Sequence, residues 1–293
     1  MKYNFDKQIE RRGTNSYKWD LPEEGVIPMW VADMDFETAP CIIEALKKRI
    51  EHGVFGYTQV PNSYYEAITN WFKRRHNWEI DRSWILYTSG VVPALTASLQ
   101  ALTMQGDKVL IQTPAYNCFF TSIKNCGCEV AETALKREGN SFVMDFDDFE
   151  CKCADPKVTV FVLCNPHNPS GRVWSKEELL HINDICTRNG VKIISDEIHC
   201  ELIMPEYTFT AFASISDECR DNSITLNSPS KSFNIAGLQI ANIICSDKTI
   251  RQRIDRALNI NEVCDVNPFG VIALQEAYNN GEEWLDELNE YLY

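Results

Sequence analysis

The chain has 293 residues, 44% of them hydrophobic and 24% charged, with 28 Lys+Arg against 42 Asp+Glu for a formal net charge of −14. That composition excludes a collagenous or disordered chain, and an acidic balance without a Lys/Arg block argues against nucleic acid as a partner. No apolar run approaches the roughly 18 residues that a spanning helix needs. The opening MKYNFDKQIERRG is charged where a signal peptide would be apolar, so the expectation is a cytoplasmic protein with no membrane partner.

Twelve cysteines include only two close pairs, Cys126/Cys128 and Cys151/Cys153, and no C-x-x-C or Cys/His zinc spacing. They read as reduced, structural thiols with no metal expected, a soft-metal site at the two close pairs being the lesser alternative.

In chain order, residues 1–39 read as an irregular arm rich in Trp, Pro and Asp, followed by helices near Pro40 to His52 and Ser63 to Asn77. From there strand-like and helical patterns alternate. Apolar runs occur at Trp84 to Tyr87, Val109 to Gln112, Val158 to Cys164, Val191 to Ser195, Ile224 to Leu226 and Ile240 to Cys245. Helical patterns occur at Val91 to Met104, Tyr116 to Asn125 and Lys176 to Asn189, the last begun by Ser175 with Glu178 as a capping box. Such alternation predicts an α/β fold, a mostly parallel, doubly wound sheet with helices on both faces. The last residues, EEWLDELNEYLY, predict a helix that stops without a cap, as a truncated element would. The expected division is an arm at 1–39, a large domain at 40–281 and the start of a small, incomplete C-terminal domain at 282–293.

Ligands of open α/β sheets sit beyond the carboxyl ends of the strands. Four segments there carry polar chemistry. Gly90 and Val91 open a helix whose free N–H groups suit an anion, although such a turn can be a mere connection. Asn168 lies among prolines in NPHNPSGR, which suits a rigidly directed amide. Asp196 and His199 follow the fourth strand, where Asp196 fits a helix cap as well as a functional carboxylate. Lys231 stands in SPSKSFNIAGLQ, where it fits a solvated lysine or a Schiff-base lysine beside phosphate-binding hydroxyls. Together they supply an anion cradle, an amide donor, a carboxylate and a lysine, the protein equipment for pyridoxal phosphate (PLP).

At these residues the chain resembles the fold-type I PLP enzymes of aminotransferase class I/II, in the branch of cystathionine and cysteine-S-conjugate β-lyases that includes the maltose-regulon modulator. Seven ordered motifs carry the resemblance over essentially the whole chain: PMWVADMDF, FGYT, SGVVPAL, TPAYNCFF, NPHNPSGR, SDEIH and SPSKSFNIAGLQ. The resemblance implies that Lys231 is the Schiff-base lysine and Asp196 the partner of the pyridine nitrogen. It implies Asn168 and His199 near the ring 3′-oxygen and Tyr116 stacked on the ring. Gly90, Val91, Ser228 and Ser230 would hold the phosphate, with Tyr57 arriving from the other subunit of a homodimer.

Where many aminotransferases place a phosphate-binding Arg, eight residues after the lysine, this chain has Gln239, as the β-lyase branch tends to. Relatives also run about a hundred residues further, into a domain whose Arg clamps the substrate carboxylate, and no residue here takes that role. The resemblance therefore implies a PLP-dependent carbon–sulfur β-lyase acting on an amino-acid substrate. An aminotransferase and a truncated, catalytically impaired PLP-binding or regulatory chain are the alternatives.

Overall fold

The computed structural model describes residues 1–293. The arm carries one helical turn, α1 (Tyr17–Asp20), capped by the Ser16 hydroxyl. Two helices follow: α2 (Pro40–Glu51), with Pro40 in the first turn where no N–H is needed, and α3 (Asn62–His76), closed by Asn77 at φ 49°. The chain then alternates through β1 (Ile85–Thr88), α4 (Val91–Leu102), β2 (Lys108–Thr113), α5 (Asn117–Asn125) and β3 (Glu129–Ala134). A small hairpin, β4 (Lys136–Glu138) and β5 (Ser141–Val143), leads to α6 (Phe146–Cys153), β6 (Val158–Cys164), α7 (Lys176–Arg188) and β7 (Lys192–Asp196). The last elements are α8 (Asp217–Asp221), β8 (Ser223–Asn227), β9 (Ala241–Ile244), α9 (Lys248–Ile260), α10 (Pro268–Asn280) and α11 (Glu282–Leu292).

Seven strands form one sheet in the order β1-β9-β8-β7-β6-β2-β3. The pairs between β8 and β3 are parallel, and only β9 runs against its neighbours. The expected α/β architecture is thus the observed one, and the expected strands recur with ends shifted by a residue or two. The first strand starts at Ile85 because Asp81 accepts the N–H of Ser83 and draws Arg82–Trp84 into a 3-10 turn.

Burial explains the apolar runs at the centre of the parallel strands. Side chains alternate across a strand, so a sheet covered on both faces favours apolar residues at successive positions. In β6, Val160, Val162 and Cys164 pack with Leu95 and Leu99 of α4, while Phe161 and Leu163 pack against Phe149 of α6 and Leu179 and Ile182 of α7. The capping box at Ser175 and Glu178 begins α7 as expected.

A third core lies under α2, α3, α10 and α11, where Trp71, Phe233 and Trp284 are buried together with Phe5 of the arm. Phe233 stacks on Trp284 with centroids 5.7 Å apart, and Phe5 meets Trp284 edge-on at 5.7 Å. The turn from α10 into α11 needs glycine: a Cβ on Gly281 would lie 2.5 Å from Phe233 Cε1 and 2.6 Å from the Ala277 carbonyl. Residues 282–292 are therefore part of this core, through Trp284, Leu285 and Leu288.

Candidate active site

The carboxyl ends of β1, β2, β6, β7 and β8, with the entry to β9, surround one pocket. The expected Gly90, Val91, Tyr116, Asn168, Asp196, His199, Ser230 and Lys231 all line it. Five stretches distant in sequence converge because β1, β2, β6, β7 and β8 run the same way and deliver their carboxyl ends to one edge, where the antiparallel β9 begins.

At the base of the pocket α4 starts at Gly90, with no side chain capping its first N–H groups. Four such groups lack helical partners at any helix start, which makes this end a donor set for an anion. Nothing within the chain demands glycine at 90. Its φ of 175° is extended backbone, and an added Cβ would meet only Pro93, at an ordinary 3.5 Å. The missing side chain keeps space open in the pocket it lines. Ser89, not singled out by sequence, lines the same corner and adds a hydroxyl.

Asp196 ends β7 and is buried. Like Ile194 two residues earlier, it points to the α4 side of the sheet, where the pocket lies. Burial pushes its carboxyl up to about 6, opposed by the Ile198 N–H that it accepts at 3.2 Å and by the Lys231 charge. A buried carboxyl of this kind gains from a cationic partner, and a protonated pyridine nitrogen is one. Burial, and then the Lys231 charge, lowers His199 to about 4, so its imidazole is neutral at pH 7 and can accept or donate.

Asn168 is held by the cis peptides Asn165–Pro166 and Asn168–Pro169, and its N–H donates to Cys164 Sγ at 3.3 Å. Tyr116 caps the entry to α5, half-exposed, its ring edge-on to Phe119 at 5.8 Å. Lys231 stands in the turn after β8, partly buried, facing the same cavity.

Two expected residues lie outside the lining. Ser228 is buried and spends its hydroxyl within the loop, donating to the Ile240 carbonyl at 2.6 Å and accepting the Ser230 N–H at 3.0 Å. It shapes the turn that presents Ser230 and Lys231. Tyr57 is fully exposed, on the segment between α2 and α3. Sequence reasoning also passed over Ala32 and Cys164. The period-2 alternation of Val160, Val162 and Cys164 contained the signal for Cys164, whereas Ala32 reaches the pocket from an irregular arm that carries no periodicity. Gln239 lines the pocket in a left-handed conformation (φ 54°), so a neutral amide stands there in place of a guanidinium.

These residues fit a phosphorylated pyridine aldehyde: helix N–H groups and serine hydroxyls for the phosphate, a buried carboxylate for the ring nitrogen and a lysine for the aldehyde, all lining one pocket. A lysine-bearing pocket at the carboxyl edge of a doubly wound sheet defines the class. The sequence matches the aminotransferase class I and II family over residues 24–292, and the chain belongs to that family.

The chain is 45% identical over 294 residues to the cystathionine beta-lyase PatB of Bacillus subtilis, covering 99% of this chain and 76% of that protein. The solved structure of a PLP-bound putative aminotransferase from Clostridium difficile superposes with a TM-score of 0.96 at 44% identity, covering 99% of this chain and 76% of that one. The PLP-bound C-S lyase from Staphylococcus hominis superposes at 0.92 with 36% identity, covering 99% and 74%. The chain thus spans about three quarters of the length of these proteins.

Proposed function

We propose that this chain is a PLP-dependent carbon–sulfur β-lyase that converts L-cystathionine or cysteine S-conjugates into a thiol, pyruvate and ammonia. The observation that carries this is the shared pocket of Lys231, Asp196, Asn168 and the uncapped start of α4, in a chain 45% identical to a protein named as a cystathionine beta-lyase.

When bound, PLP draws the electrons of a broken substrate Cα–H bond into its pyridine ring. Lys231 would hold the cofactor through its Nζ, and the same Nζ, when free, would take the substrate's Cα proton. Asp196 keeps a proton on the ring nitrogen. Asn168 and the neutral His199 would offer hydrogen bonds to the ring oxygen, and Tyr116 would pack against the ring. The N–H groups of Gly90 and Val91, with Ser89 and Ser230, would hold the phosphate, and Ser228 fixes the loop that carries Ser230. The thiolate departs from Cβ with little acid assistance, since a thiol is acidic enough for its anion to leave without prior protonation.

The large unit at 40–281 would be the cofactor-binding domain, and the working form a cytoplasmic homodimer. Large apolar side chains stay in solvent at Ile27, Met29 and Trp30 and at Val54, Phe55 and Tyr57, and such surface suits a second copy. Tyr57, with no role in its own subunit's pocket, would complete the neighbour's phosphate site.

Aminotransfer is the second reading. The chain also matches an aspartate aminotransferase of Bacillus subtilis at 27% identity, and the same lysine would then return the proton to the cofactor. Incubation with PLP and L-cystathionine separates the two: release of pyruvate when no 2-oxo acid has been added supports the lyase. A new amino acid formed only when a 2-oxo acid is supplied supports transfer.

A further inference from the structure

The arm has no ladder to hold it, so its backbone groups must find side-chain partners. Those of residues 33–36 find two sets. One comes from the arm itself: Arg11 donates to the Met34 carbonyl at 2.8 Å and pairs with Asp33 and Asp35, while Lys18 donates to the Asp33 carbonyl at 2.9 Å. The other is a single residue two hundred positions away. Asn234 accepts the Met34 N–H at 2.9 Å and donates to the carbonyls of Met34 at 3.0 Å and Phe36 at 2.8 Å.

Asn234 lies three residues beyond Lys231 and does not itself line the pocket. The arm it grips does, through Ala32. Ala32, Asn168 and His199 also line an adjoining cavity walled by Leu202, Met204 and Tyr207, so Ala32 stands where the two spaces meet.

We infer that Asn234 is a positioning residue that ties the arm to the lysine loop and so fixes Ala32 as the pocket wall against which an amino-acid substrate is seated. The inference rests on the lyase reading for the identity of the substrate. It follows from the geometry that the tie acts on the substrate and not on the cofactor. The cofactor contacts assigned above within one subunit come from strand ends, the loops that follow them and α4, and none is made by Asn234 or by the arm. Substrate seated against a wandering wall loses part of its orientation, whereas the lysine loop keeps the Ser228 hydrogen bonds.

Asn234 has φ 53°, a conformation that glycine adopts freely, so Asn234→Gly removes the three hydrogen bonds without straining the turn. The expected result in the PLP-loaded protein is an unchanged visible cofactor band and an L-cystathionine dissociation constant, read from perturbation of that band, raised about tenfold, the scale of one or two net hydrogen bonds. Amide exchange should accelerate at 32–36, where the Met34 N–H loses its acceptor, and stay slow in β8. Arg11→Gln releases the same segment from the arm's side and should weaken substrate in the same way.

An unchanged L-cystathionine affinity in both variants overturns the inference, whatever the exchange shows. Loss of the cofactor band in Asn234→Gly also overturns it, since Asn234 would then support the lysine loop itself. If the parent chain binds L-cystathionine but releases no pyruvate, the lyase reading fails alone, and the affinity ratio and exchange still decide the role of Asn234.

Discussion

The sheet edge and the arm meet at the same pocket but are held by different forces. At the sheet edge, position follows from the backbone: parallel ladders align strand ends, and residues buried on both faces, such as Phe161 and Val162, leave no alternative register. In the arm, position follows from side chains: Arg11, Lys18 and Asn234 hold a backbone that pairs with no strand. The edge is rigid because many weak terms act together, and the arm is ordered by a few replaceable ones. This division assigns chemistry to the edge and seating of the substrate to the arm.

Truncating one aromatic residue on each side breaks the comparison most sharply. Phe161→Ala empties a site with no exposure between the sheet and α6, and should lower unfolding free energy by about 3–5 kcal/mol. Phe5→Ala removes a ring packed on Phe36, Trp284 and Tyr291, yet should mainly loosen the arm. Denaturant melts should show the large loss only for Phe161→Ala, and limited proteolysis should cut Phe5→Ala within residues 1–39. Equal losses in the two melts would erase the distinction.

Much of the edge was legible in sequence, because a covered parallel strand is an apolar run bounded by turns. Val158 to Cys164 was read with the observed limits, and the residues following each run supplied the pocket. The pattern failed where burial is one-sided or total. Strand β3, EVAETA, is the half-exposed sheet edge and reads as polar chain. Helix α10, PFGVIALQEAYNN, packs on both α2 and α3, and its apolar Phe269 to Leu274 run consecutively, so no single apolar stripe stands out. In α9 only Ile254, Ala257 and Leu258 are buried among charges. The arm was read as irregular, and its ties, which join positions two hundred residues apart, leave no local signal.

Two smaller effects sharpen the account of the edge. Glu197, beside Asp196, is fully buried, and burial together with the Asp196 charge raises it to about 8 despite the hydrogen bonds from Phe212 N–H and Ser195. Its folded value thus exceeds the ordinary carboxylate value, so the folded protein holds a proton there that the unfolded chain releases. That contribution to stability is complete below about pH 4 and is lost as the pH rises toward about 8. Thermal melts of Glu197→Gln should fall less steeply over that window than those of the parent, and parallel profiles would refute the assignment.

Gly90→Ala should leave the melting temperature of the cofactor-free chain nearly unchanged, since the new Cβ meets only Pro93. It should weaken PLP several-fold in a titration, because the Cβ enters space beside the α4 N–H groups. Unchanged PLP affinity would remove Gly90 from the phosphate site.

The central claim is that Lys231 is the residue that holds the cofactor. Loading the protein with PLP, reducing with borohydride and mapping the peptides by mass spectrometry tests it directly. The account predicts one stoichiometric pyridoxyl adduct, on the peptide carrying Ser228 to Asn234, and none in Lys231→Ala, which should also release no pyruvate. An adduct on another lysine, or pyruvate release retained by Lys231→Ala, would contradict it.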